Sequence, residues 1–283
     1  MSNIQRDIFK KSSRTFYYSS LFFPKSIQDD VHKLYAFVRT ADDFVDATPQ
    51  QWDQFHDFKK KSLYFIDTPE KKSEDRVIAG FVEVYKKYNF QREWVVSFLD
   101  AMQSDLEKVF VKNQEELEVY MYGSAAVVWY MMCAIFWIRD TENLLAAKNF
   151  AYSLQCINFI RDIDEDANLW RRYLFNYHIS YQWNIKNDRN LWEFLKFHLG
   201  LYFSYLSQAQ KWLKSLPISM RIAVLTASDV YNWTARKIQR RPEIVFEKKV
   251  KPTKFQVLLY WLKNAITLAI RYIFSTISYS GKS

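Results

Sequence analysis

The chain has 283 residues, of which 49% are hydrophobic and 18% aromatic, enough for the core of one large domain or two small ones. Only 4 glycines and 6 prolines interrupt it, and few runs alternate apolar and polar residues, so the prediction excludes a sheet-rich fold. The formal charge of +9 indicates an anionic partner, such as a phosphorylated small molecule, nucleic acid or an acidic membrane, unless it serves only solubility.

The expected elements, in chain order, are about ten helices with short connections. Breaks between them are predicted near Pro24, Thr48-Pro49, Thr68-Pro69, Asn89, Asn113, Asp140, Asn187-Asp188, Pro217 and Pro252. The sequence shows no internal repeat, low-complexity linker or glycine-rich phosphate loop. It therefore predicts one all-α domain over residues 1–250, followed by a basic and apolar helix over 251–283.

Targeting and redox features predict a cytoplasmic protein. The N-terminal residues lack the apolar region of a secretory signal. Cys133 and Cys156 have no CxxC spacing and lie in apolar surroundings, so we expect buried free thiols, as in a reducing cytoplasm. The nearest candidate for a membrane span, 255–274, carries Lys263 and Arg271 and is not expected to cross a bilayer.

A helix with an unusual acidic pair is predicted over residues 27–47. Its apolar stripe has helical spacing and consists of Val31, Leu34, Tyr35, Val38, Ala41 and Val45. Asp42 follows Tyr35 by seven residues and therefore falls on this apolar face. Asp46 lies one turn beyond Asp42, and Arg39 lies one turn before it. The helix thus places two acids, four residues apart, beside positions that should be buried.

A second acidic pair is predicted on a helix that includes residues 154–166. One polar line runs along it at spacings of 3, 4 and 4 residues, formed by Gln155, Asn158, Asp162 and Asp166. Arg161 and Glu165 stand beside this line, and the other positions of the helix are apolar. The pattern repeats that of the first helix.

Two such pairs predict a cation site. Like charges four residues apart destabilise a helix by about 0.2–0.5 kcal/mol per pair, and by more when they lose solvent. One pair could be an ordinary solvated face, but two pairs with neighbouring arginines indicate a compensating cation. Carboxylate oxygens suit Mg²⁺, which is commonly shared with substrate phosphates. We therefore predict two facing helices that bind a diphosphate through magnesium, with direct contacts from Arg39, Arg161 and Arg171.

The same segments carry a family resemblance. The stretches RTADDFVD (39–46) and QCINFIRDIDED (155–166) resemble the two aspartate-rich motifs of the squalene/phytoene synthase family, and NLWRRYL places Arg171 and Tyr173 as that family does. The stretch SSRTFYYSSLFFP (12–24) resembles the family's opening helix. YMYGSAA (120–126) and SDVYNWTARKI (228–238) resemble its later tyrosine segments. The resemblance covers most of residues 8–250.

The resemblance implies a class I isoprenoid synthase bundle with a central cavity. It implies head-to-head condensation of two allylic prenyl diphosphates through a cyclopropyl diphosphate, with two C20 substrates giving phytoene for carotenoid biosynthesis. Two C15 substrates, giving dehydrosqualene or squalene, are the alternative. Two or three Mg²⁺ ions, or Mn²⁺ in their place, would be held by Asp42, Asp43, Asp46, Asn158, Asp162 and Asp166. NADPH is not expected, because the sequence has no dinucleotide fingerprint.

Further site residues are assigned by the same resemblance. Tyr35, Tyr120 and Tyr231 would act in catalysis with the four paired aspartates, since aromatic faces stabilise an allylic cation. Substrate contacts are expected from Ser13, Phe16, Arg39, Gln155, Asn158, Arg161, Arg171 and Tyr173. Trp129 departs from the family, which favours glycine there, and would shorten or bend the hydrocarbon tunnel.

The C-terminal segment has two open interpretations. Lys263 and Arg271 are eight residues apart and lie on roughly the same side of a helix whose other positions are largely apolar. Such a helix could make a peripheral contact with the inner face of the membrane. It could equally pack on the body of the domain.

Three other functions stay open from sequence alone: a terpenoid cyclase or head-to-tail prenyltransferase, a non-catalytic relative that kept the fold, and a nucleic-acid-binding helical protein. The intact aspartates argue against the second. The basic residues are spread over the chain rather than gathered on one face, so nucleic acid is not an expected partner.

Overall fold

A computed structural model describes residues 4–12, 17, 20, 23–175, 189–210, 213 and 216–280. Its helices are α1 Ile4–Ser12, α2 Lys25–Asp46, α3 Trp52–Asp67, α4 Arg76–Lys87, α5 Arg92–Ser104, α6 Gln114–Met121, α7 Val127–Ile135, α8 Thr141–Arg161, α9 Ile163–Asn168, α10 Arg189–Ala209, α11 Ile218–Arg240, α12 Ile244–Glu247 and α13 Lys254–Ser280. A π-helix, Tyr122–Ala126, joins α6 to α7. The predicted all-α class is confirmed.

The core consists of two hydrophobic clusters that meet at α7. Helices α1–α5 supply the first cluster, and α6 and α8–α12 supply most of the second. Val127 and Met131 of α7 pack into the first cluster, whereas Cys133 packs into the second. Cys133 and Cys156 are buried free thiols, as predicted. Since α2 belongs to one cluster and α8 to the other, the two acidic motifs come from different halves of the molecule.

Several predicted breaks are helix caps. Asn113 Oδ1 accepts a hydrogen bond from Glu116 N (2.9 Å) at the start of α6, and Asp140 Oδ1 accepts one from Asn143 N (2.9 Å) at the start of α8. Such a cap contributes about 1 kcal/mol, because it pairs a donor that the helix leaves free. Pro24 and Pro217 directly precede α2 and α11. The break predicted at 187–188 lies outside the described residues.

Helix α2 buries a wider face than predicted. The fully buried members of the predicted stripe are Val31, Leu34, Ala41 and Val45. Phe37, which the stripe leaves out, is also buried, because its ring stacks on Phe81 of α4 with 3.7 Å between the centroids. Neighbours on two sides therefore fix the last turn of α2, which carries Asp42 and Asp46.

One short parallel pair of strands is present in this otherwise helical fold and was not predicted. Strand β1, Val109–Phe110, pairs with β2, Arg171–Arg172. Two-residue strands are too short to show an alternating pattern, which explains why the sequence did not reveal them. The pair holds the loop before α6 against the loop after α9.

The chain passes very close to α5 at Gly123, inside the π-helix. A Cβ atom there would lie 2.5 Å from the Ser97 carbonyl oxygen and 2.7 Å from the Ala101 Cβ. By contrast, a Cβ atom on Gly200 of α10 would meet nothing within 4 Å. The two glycines thus form a matched pair for a test of packing.

We expect Gly123→Ala to lower the free energy of unfolding by about 1–3 kcal/mol, because neither a carbonyl oxygen nor a packed methyl can yield easily. Gly200→Ala should raise it by about 0.5–1 kcal/mol, since alanine is the better helix former. Urea unfolding of both variants measures the difference. Equal unfolding midpoints for the two variants would show that the close approach to α5 is wrong.

His198 is a buried neutral histidine. It is 1% exposed and packs against the rings of Phe175, Phe194 and Phe197. In the tautomer protonated at Nε2, it donates a hydrogen bond to the Phe175 carbonyl oxygen at 3.1 Å. Burial lowers the pKa of His198 from 6.5 to about 4.

This lowered pKa predicts a loss of stability in acid. Between pH 6.5 and 4 the unfolded chain binds a proton at His198 and the native chain does not, so stability falls as pH drops. The full effect is about 3 kcal/mol. The measured quantity is the unfolding free energy of the wild type minus that of His198→Gln. Buried carboxylates with raised pKa values increase stability as pH drops, but they do so in both proteins, so their contribution cancels in this difference. A difference that stays constant from about pH 7.5 to 4 would contradict the prediction.

Helix α13 packs on α11 through one face. Asp229 of α11 accepts hydrogen bonds from Lys263 Nζ and Asn264 Nδ2, both at 2.9 Å, and Leu268 is buried on the same side. The opposite face exposes an apolar stripe, here called the exposed stripe: Phe255, Leu258, Leu259, Leu262, Ile266 and Ile270. Among the helices of the described ranges, none combines the length and hydrophobicity needed to cross a membrane.

Candidate active site

Arg171 connects the two halves of the site. Its Nη1 pairs with Asp46 Oδ1 at 2.7 Å, its Nη2 donates to the Val45 carbonyl oxygen at 2.6 Å, and its Nε donates to the Asp105 carbonyl oxygen at 3.0 Å. The residue is only 5% exposed. Asp46 ends the first acidic motif, whereas Arg171 follows the second, 125 residues later. The two motifs therefore meet at this guanidinium group.

Asp105 anchors two tyrosines beside Arg171. The buried carboxylate accepts hydrogen bonds from Tyr120 OH at 2.7 Å and from Tyr173 OH at 2.6 Å. Burial raises the pKa of Asp105 to about 6, although Arg171 and both hydroxyls act to lower it. The Tyr173 ring lies 4.6 Å from the Tyr120 ring and 4.4 Å from the Phe159 ring, between centroids. We call Tyr120, Phe159 and Tyr173 the aromatic wall.

In the first motif, Arg39 neutralises part of the acidic charge. It forms ion pairs with Asp42 and, at 2.5 Å, with Asp43 Oδ1. Its Nε is buried and has no hydrogen-bond partner among the described residues, which leaves one donor for an anionic ligand. Burial and the charge of Asp46 raise the pKa of Asp42 to about 7 despite Arg39. Because the Asp42 side chain keeps about a third of its surface exposed, solvent screens part of this effect.

The second motif is interrupted at Asp162, where a continuous helix was predicted. Helix α8 ends at Arg161 and α9 begins at Ile163. The hydrogen-bond pattern nevertheless continues, since Asp162 N donates to the Asn158 carbonyl oxygen and Asp166 N donates to the Asp162 carbonyl oxygen, both at 2.8 Å. The i, i+4 backbone hydrogen bonds from Asn158 to Asp166 are therefore kept across the interruption.

Asp162 is held between two cations. Arg161 Nε donates to Asp162 Oδ1 at 2.8 Å, and Lys249 Nζ lies 3.1 Å from the same oxygen. Lys249 also pairs with Glu165. Burial alone would raise the pKa of Asp162, but the two cations hold it below its ordinary value. Since Lys249 follows α12, the loop between α12 and α13 closes over the second motif.

The pKa of Asp166 shifts in the opposite direction to that of Asp162. Burial and the charge of Asp162 raise the pKa of Asp166 to about 8, while Arg171 opposes the rise. The charges of Asp46 and Asp105 add to it. Asp166 and Asp46 thus repel each other across the gap between the two motifs, which means that both motifs face the same space.

The amide line of the second motif ends on Tyr231. Asn158 Nδ2 donates to Gln155 Oε1 at 3.1 Å, and Tyr231 OH donates to Asn158 Oδ1 at 3.2 Å. Burial raises the pKa of Tyr231, which keeps its hydroxyl protonated as a donor. Three predicted site residues on α8 and α11 are therefore brought into one hydrogen-bonded chain.

Two other aromatic residues singled out from the sequence, Tyr35 and Trp129, pack against the hydrophobic clusters. The Tyr35 ring stacks on Phe9 of α1, with 3.8 Å between centroids. Trp129 packs edge to face on Phe150, at 4.9 Å, where α7 meets α8. Ser13 and Phe16 lie outside the described residues.

A cavity of about 240 Å³ opens beside the second motif. Asp166 and Arg171 line its polar part, and Phe159 and Tyr173 of the aromatic wall line its apolar part together with Trp170. An anionic group near Arg171 and a hydrocarbon chain along the aromatic wall can thus occupy one continuous space.

Comparison with known proteins identifies the family. The family description "Squalene/phytoene synthase" matches residues 9–256. The chain belongs to the squalene/phytoene synthase family. Phytoene synthase of Rhodobacter capsulatus is 28% identical over 173 residues, which cover 60% of this chain and only 50% of that protein. The 15-cis-phytoene synthase of Pantoea ananas is 23% identical over 282 residues, 92% of this chain and 90% of that protein.

A solved structure supports the same fold. The crystal structure of a dehydrosqualene synthase in complex with ligand superposes with a TM-score of 0.82 at 19% identity, over 94% of this chain and 95% of that chain. Membership of the squalene/phytoene synthase family makes the chain a prenyltransferase. The first aspartate-rich motif lies on α2, which packs in the first hydrophobic cluster, and the second lies on α8 and α9, which pack in the second cluster.

Asp105 and Lys249 are among the residues of the site of this squalene/phytoene synthase family member that were not predicted. Asp105 stands alone after the last apolar turn of α5, where an aspartate normally ends a helix at the surface. Lys249 belongs to the basic run 248–254, which sequence alone indicated only as local charge density. No spacing or motif distinguishes either residue, because each owes its place to contacts with distant segments.

The donor chemistry of the site fits a divalent cation. The two acidic motifs supply hard carboxylate oxygens. Burial first, and then the charge of a neighbouring aspartate, raises the pKa values of Asp42 and Asp166. In the part of the chain that the structure describes, however, no three His, Cys, Asp or Glu side chains are close enough together to ligate a metal. Arg39, Arg161 and Lys249 instead pair with the acids. The predicted metal ligands stay a prediction.

Proposed function

We propose that the chain condenses two C20 allylic prenyl diphosphates head to head to give phytoene. The observation that carries this proposal is the meeting of the two acidic motifs at Arg171, beside the aromatic wall. The choice of C20 substrates follows the two phytoene synthases to which the chain is similar. The cyclopropyl diphosphate intermediate follows from the family resemblance.

In this proposal, cations at the rim hold the substrate diphosphate. Arg39 has a buried Nε without a partner, and Lys249 is 31% exposed and can turn from Asp162 to a phosphate oxygen. Arg171 is different, because it already makes three hydrogen bonds and is almost fully buried. We therefore assign Arg171 to the positioning of Asp46, which revises the direct diphosphate contact predicted from sequence.

The four paired aspartates would hold the predicted magnesium ions, which supply charge neutralisation of the leaving diphosphate. Burial, together with the charge of a neighbouring aspartate, raises the pKa values of Asp42 and Asp166, so a bound cation would favour the ionised form of both carboxyl groups. Asn158 and Gln155 place amide oxygens and nitrogens along the same line, and Tyr231 fixes the orientation of the Asn158 amide.

The aromatic wall supports the carbocation chemistry. An aromatic face attracts a cation by about 0.5–2 kcal/mol, and by more when water is excluded. Asp105 accepts hydrogen bonds from both tyrosine hydroxyls, which increases the electron density on those rings. Burial also raises the pKa values of Tyr120 and Tyr173, so both stay neutral and cannot quench the cation as phenolates.

A second candidate, condensation of two C15 diphosphates to dehydrosqualene, is favoured by one observation. Trp129, which stands where the family favours glycine, packs edge to face on Phe150 where α7 meets α8, and we take this bulky residue as the argument for a shorter hydrocarbon. Incubation with C15 and C20 diphosphates, with and without Mg²⁺ and NADPH, separates the candidates. We expect phytoene from the C20 substrate without NADPH; a cyclic hydrocarbon or no hydrocarbon would refute the head-to-head proposal.

We also propose a peripheral membrane contact through α13, on the cytoplasmic face of the membrane. The exposed stripe keeps large side chains in solvent, with Phe255 66% and Ile266 57% exposed. Lys263 lies beside the stripe and its side chain is 58% exposed, so it can contact anionic head groups. A hydrocarbon product would leave the site toward such a membrane.

A liposome flotation assay tests this contact. The full-length chain should float with anionic liposomes, whereas a chain truncated after Lys251 should stay at the bottom of the gradient. Ile266→Asp should also reduce flotation, because it places a charge in the exposed stripe. Gln239→Asp, which adds the same charge at an exposed site on α11, serves as the control. Equal flotation of the full-length and truncated chains would end the proposal.

A further inference from the structure

A second cavity, of about 490 Å³, lies between α8, α10, α11 and α13. Phe150, Leu206, Leu225 and Leu268 line its apolar walls, one from each of these helices. None of its lining residues lines the cavity beside the second acidic motif. Its volume falls within the range of about 300–1,000 Å³ that is typical of small-molecule sites.

The cavity uses a separate face of α11. Arg221, Leu225, Ser228 and Asn232 line it and recur at spacings of 4, 3 and 4 residues, which is one helical face. Tyr231, which reaches the amide line of the acidic motif, projects about 100° away from Asn232 around the helix. The two sites therefore share a helix and occupy different sides of it.

The lining combines a long apolar surface with two cations. Arg221 and Arg271 are the charged side chains among the residues described around this cavity, and neither aspartate nor glutamate lines it. Arg221 is fixed by a hydrogen bond from its Nη2 to the Leu216 carbonyl oxygen at 2.8 Å. Guanidinium groups bind phosphate oxygens in paired hydrogen bonds. A ligand that fits this chemistry has a hydrocarbon chain and one anionic head.

We propose that this cavity binds one acyl chain of an anionic phospholipid, whose phosphate contacts Arg221 and Arg271. The membrane is the source because α13, which supplies Leu268 and Arg271 to the cavity, bears the exposed stripe on its other face. The inference rests on the proposed membrane contact. A helix that lies in the interface brings the rim of the cavity to the level of the lipid head groups.

The test is a calorimetric titration of the full-length chain with dihexanoyl phosphatidylglycerol, a short anionic phospholipid. We expect saturable binding of one lipid per chain. Arg271→Gln should weaken binding about tenfold or more, the ratio that one charge-assisted hydrogen bond carries. Leu225→Trp should abolish binding, because the larger side chain fills the cavity. Arg240→Gln, which removes an equal charge from the exposed end of α11, should bind as the wild type does.

Equal affinity for the zwitterionic dihexanoyl phosphatidylcholine would overturn the proposal, and so would undiminished binding by a folded Leu225→Trp. Tighter binding of decanoate would also overturn it, because the ligand would then be a free fatty acid. Inorganic phosphate should bind at least tenfold more weakly, since it lacks the chain; equal affinity for phosphate would also refute the site. Arg271 is exposed, so its substitution keeps the test valid if Leu225→Trp fails to fold. The titration reads binding and not turnover, so its failure is distinct from a failure of the condensation activity.

Discussion

Replacing Asp42 or Asp162 by asparagine is expected to abolish turnover while the protein stays folded. Asparagine keeps the size of the side chain and removes the charge that would bind a cation and the diphosphate. Loss of several kcal/mol of charge stabilisation corresponds to about a thousandfold or greater loss of rate. Product formation from the C20 diphosphate, with circular dichroism as the check on folding, measures the effect.

The same two variants should change stability in opposite directions once metal is removed by a chelator. The pKa of Asp42 is raised, so its ionised form opposes folding above about pH 7, and Asp42→Asn should stabilise the chain by about 1 kcal/mol after screening. The pKa of Asp162 is lowered by Arg161 and Lys249, so its ionised form favours folding at neutral pH. Asp162→Asn should therefore lower the melting temperature.

Asp164→Asn provides the control. Asp164 lies in the same acidic stretch but is exposed, so its substitution should leave turnover within about twofold of the wild type and stability nearly unchanged. Full activity in Asp42→Asn or Asp162→Asn would refute the assignment of these acids to diphosphate capture. A parallel shift in melting temperature for both would refute the electrostatic account of the two motifs.

The largest effect on stability is expected from Arg171→Met. The substitution leaves Asp46 without its partner and leaves the carbonyl oxygens of Val45 and Asp105 with Gln50 Nε2 as their shared remaining side-chain donor. Removal of one partner from a buried ion pair typically destabilises a protein by about 3–5 kcal/mol. The Asp46 side chain is 40% exposed, so solvent screens part of its unpaired charge and the expected loss is nearer about 2–4 kcal/mol. We expect a loss of this size in the free energy of unfolding by urea. Arg172→Met, next in sequence and with its guanidinium over the Phe110 ring, should lose less than about 1 kcal/mol.

A double variant shows whether the lost charge pair causes the effect. Adding Asp46→Asn to Arg171→Met should restore part of the lost stability, because it removes the uncompensated carboxylate. If the two substitutions simply add, the ion pair is not the source of the stability, and the hydrogen bonds to the carbonyl oxygens are.

The sequence predicted which residues form the site better than it predicted the contacts between them. Asp42, Asp46, Asp162 and Asp166 could be placed on two helices because each pair recurs at helical spacing beside apolar positions. The prediction that the two helices face each other agrees with the contact between Asp46 and Arg171, whereas the shared cation from which it was argued stays a prediction. These predictions depend on local periodicity, which short stretches of sequence contain.

The contacts that hold the site in place depend on distant residues and could not be predicted. Asp105 meets Tyr120 and Tyr173 only after three separate segments have packed, and nothing in its immediate neighbours indicates this. Lys249 reaches Asp162 across 87 positions of chain by way of a loop whose basic residues look like a solvated run. The interruption of the second helix at Asp162 was missed for a related reason, since the i, i+4 pattern continues through it.

The bond from Arg171 to Asp46 has a consequence for how the protein is made. Translation delivers the first acidic motif long before Arg171, and the loop with Lys249 emerges later still. A nascent chain on the ribosome therefore displays Asp46 without its guanidinium partner. The second motif gains its Lys249 contact only after residues 248–254 have left the ribosome, so fragments that end before this loop lack the cation that pairs with Asp162.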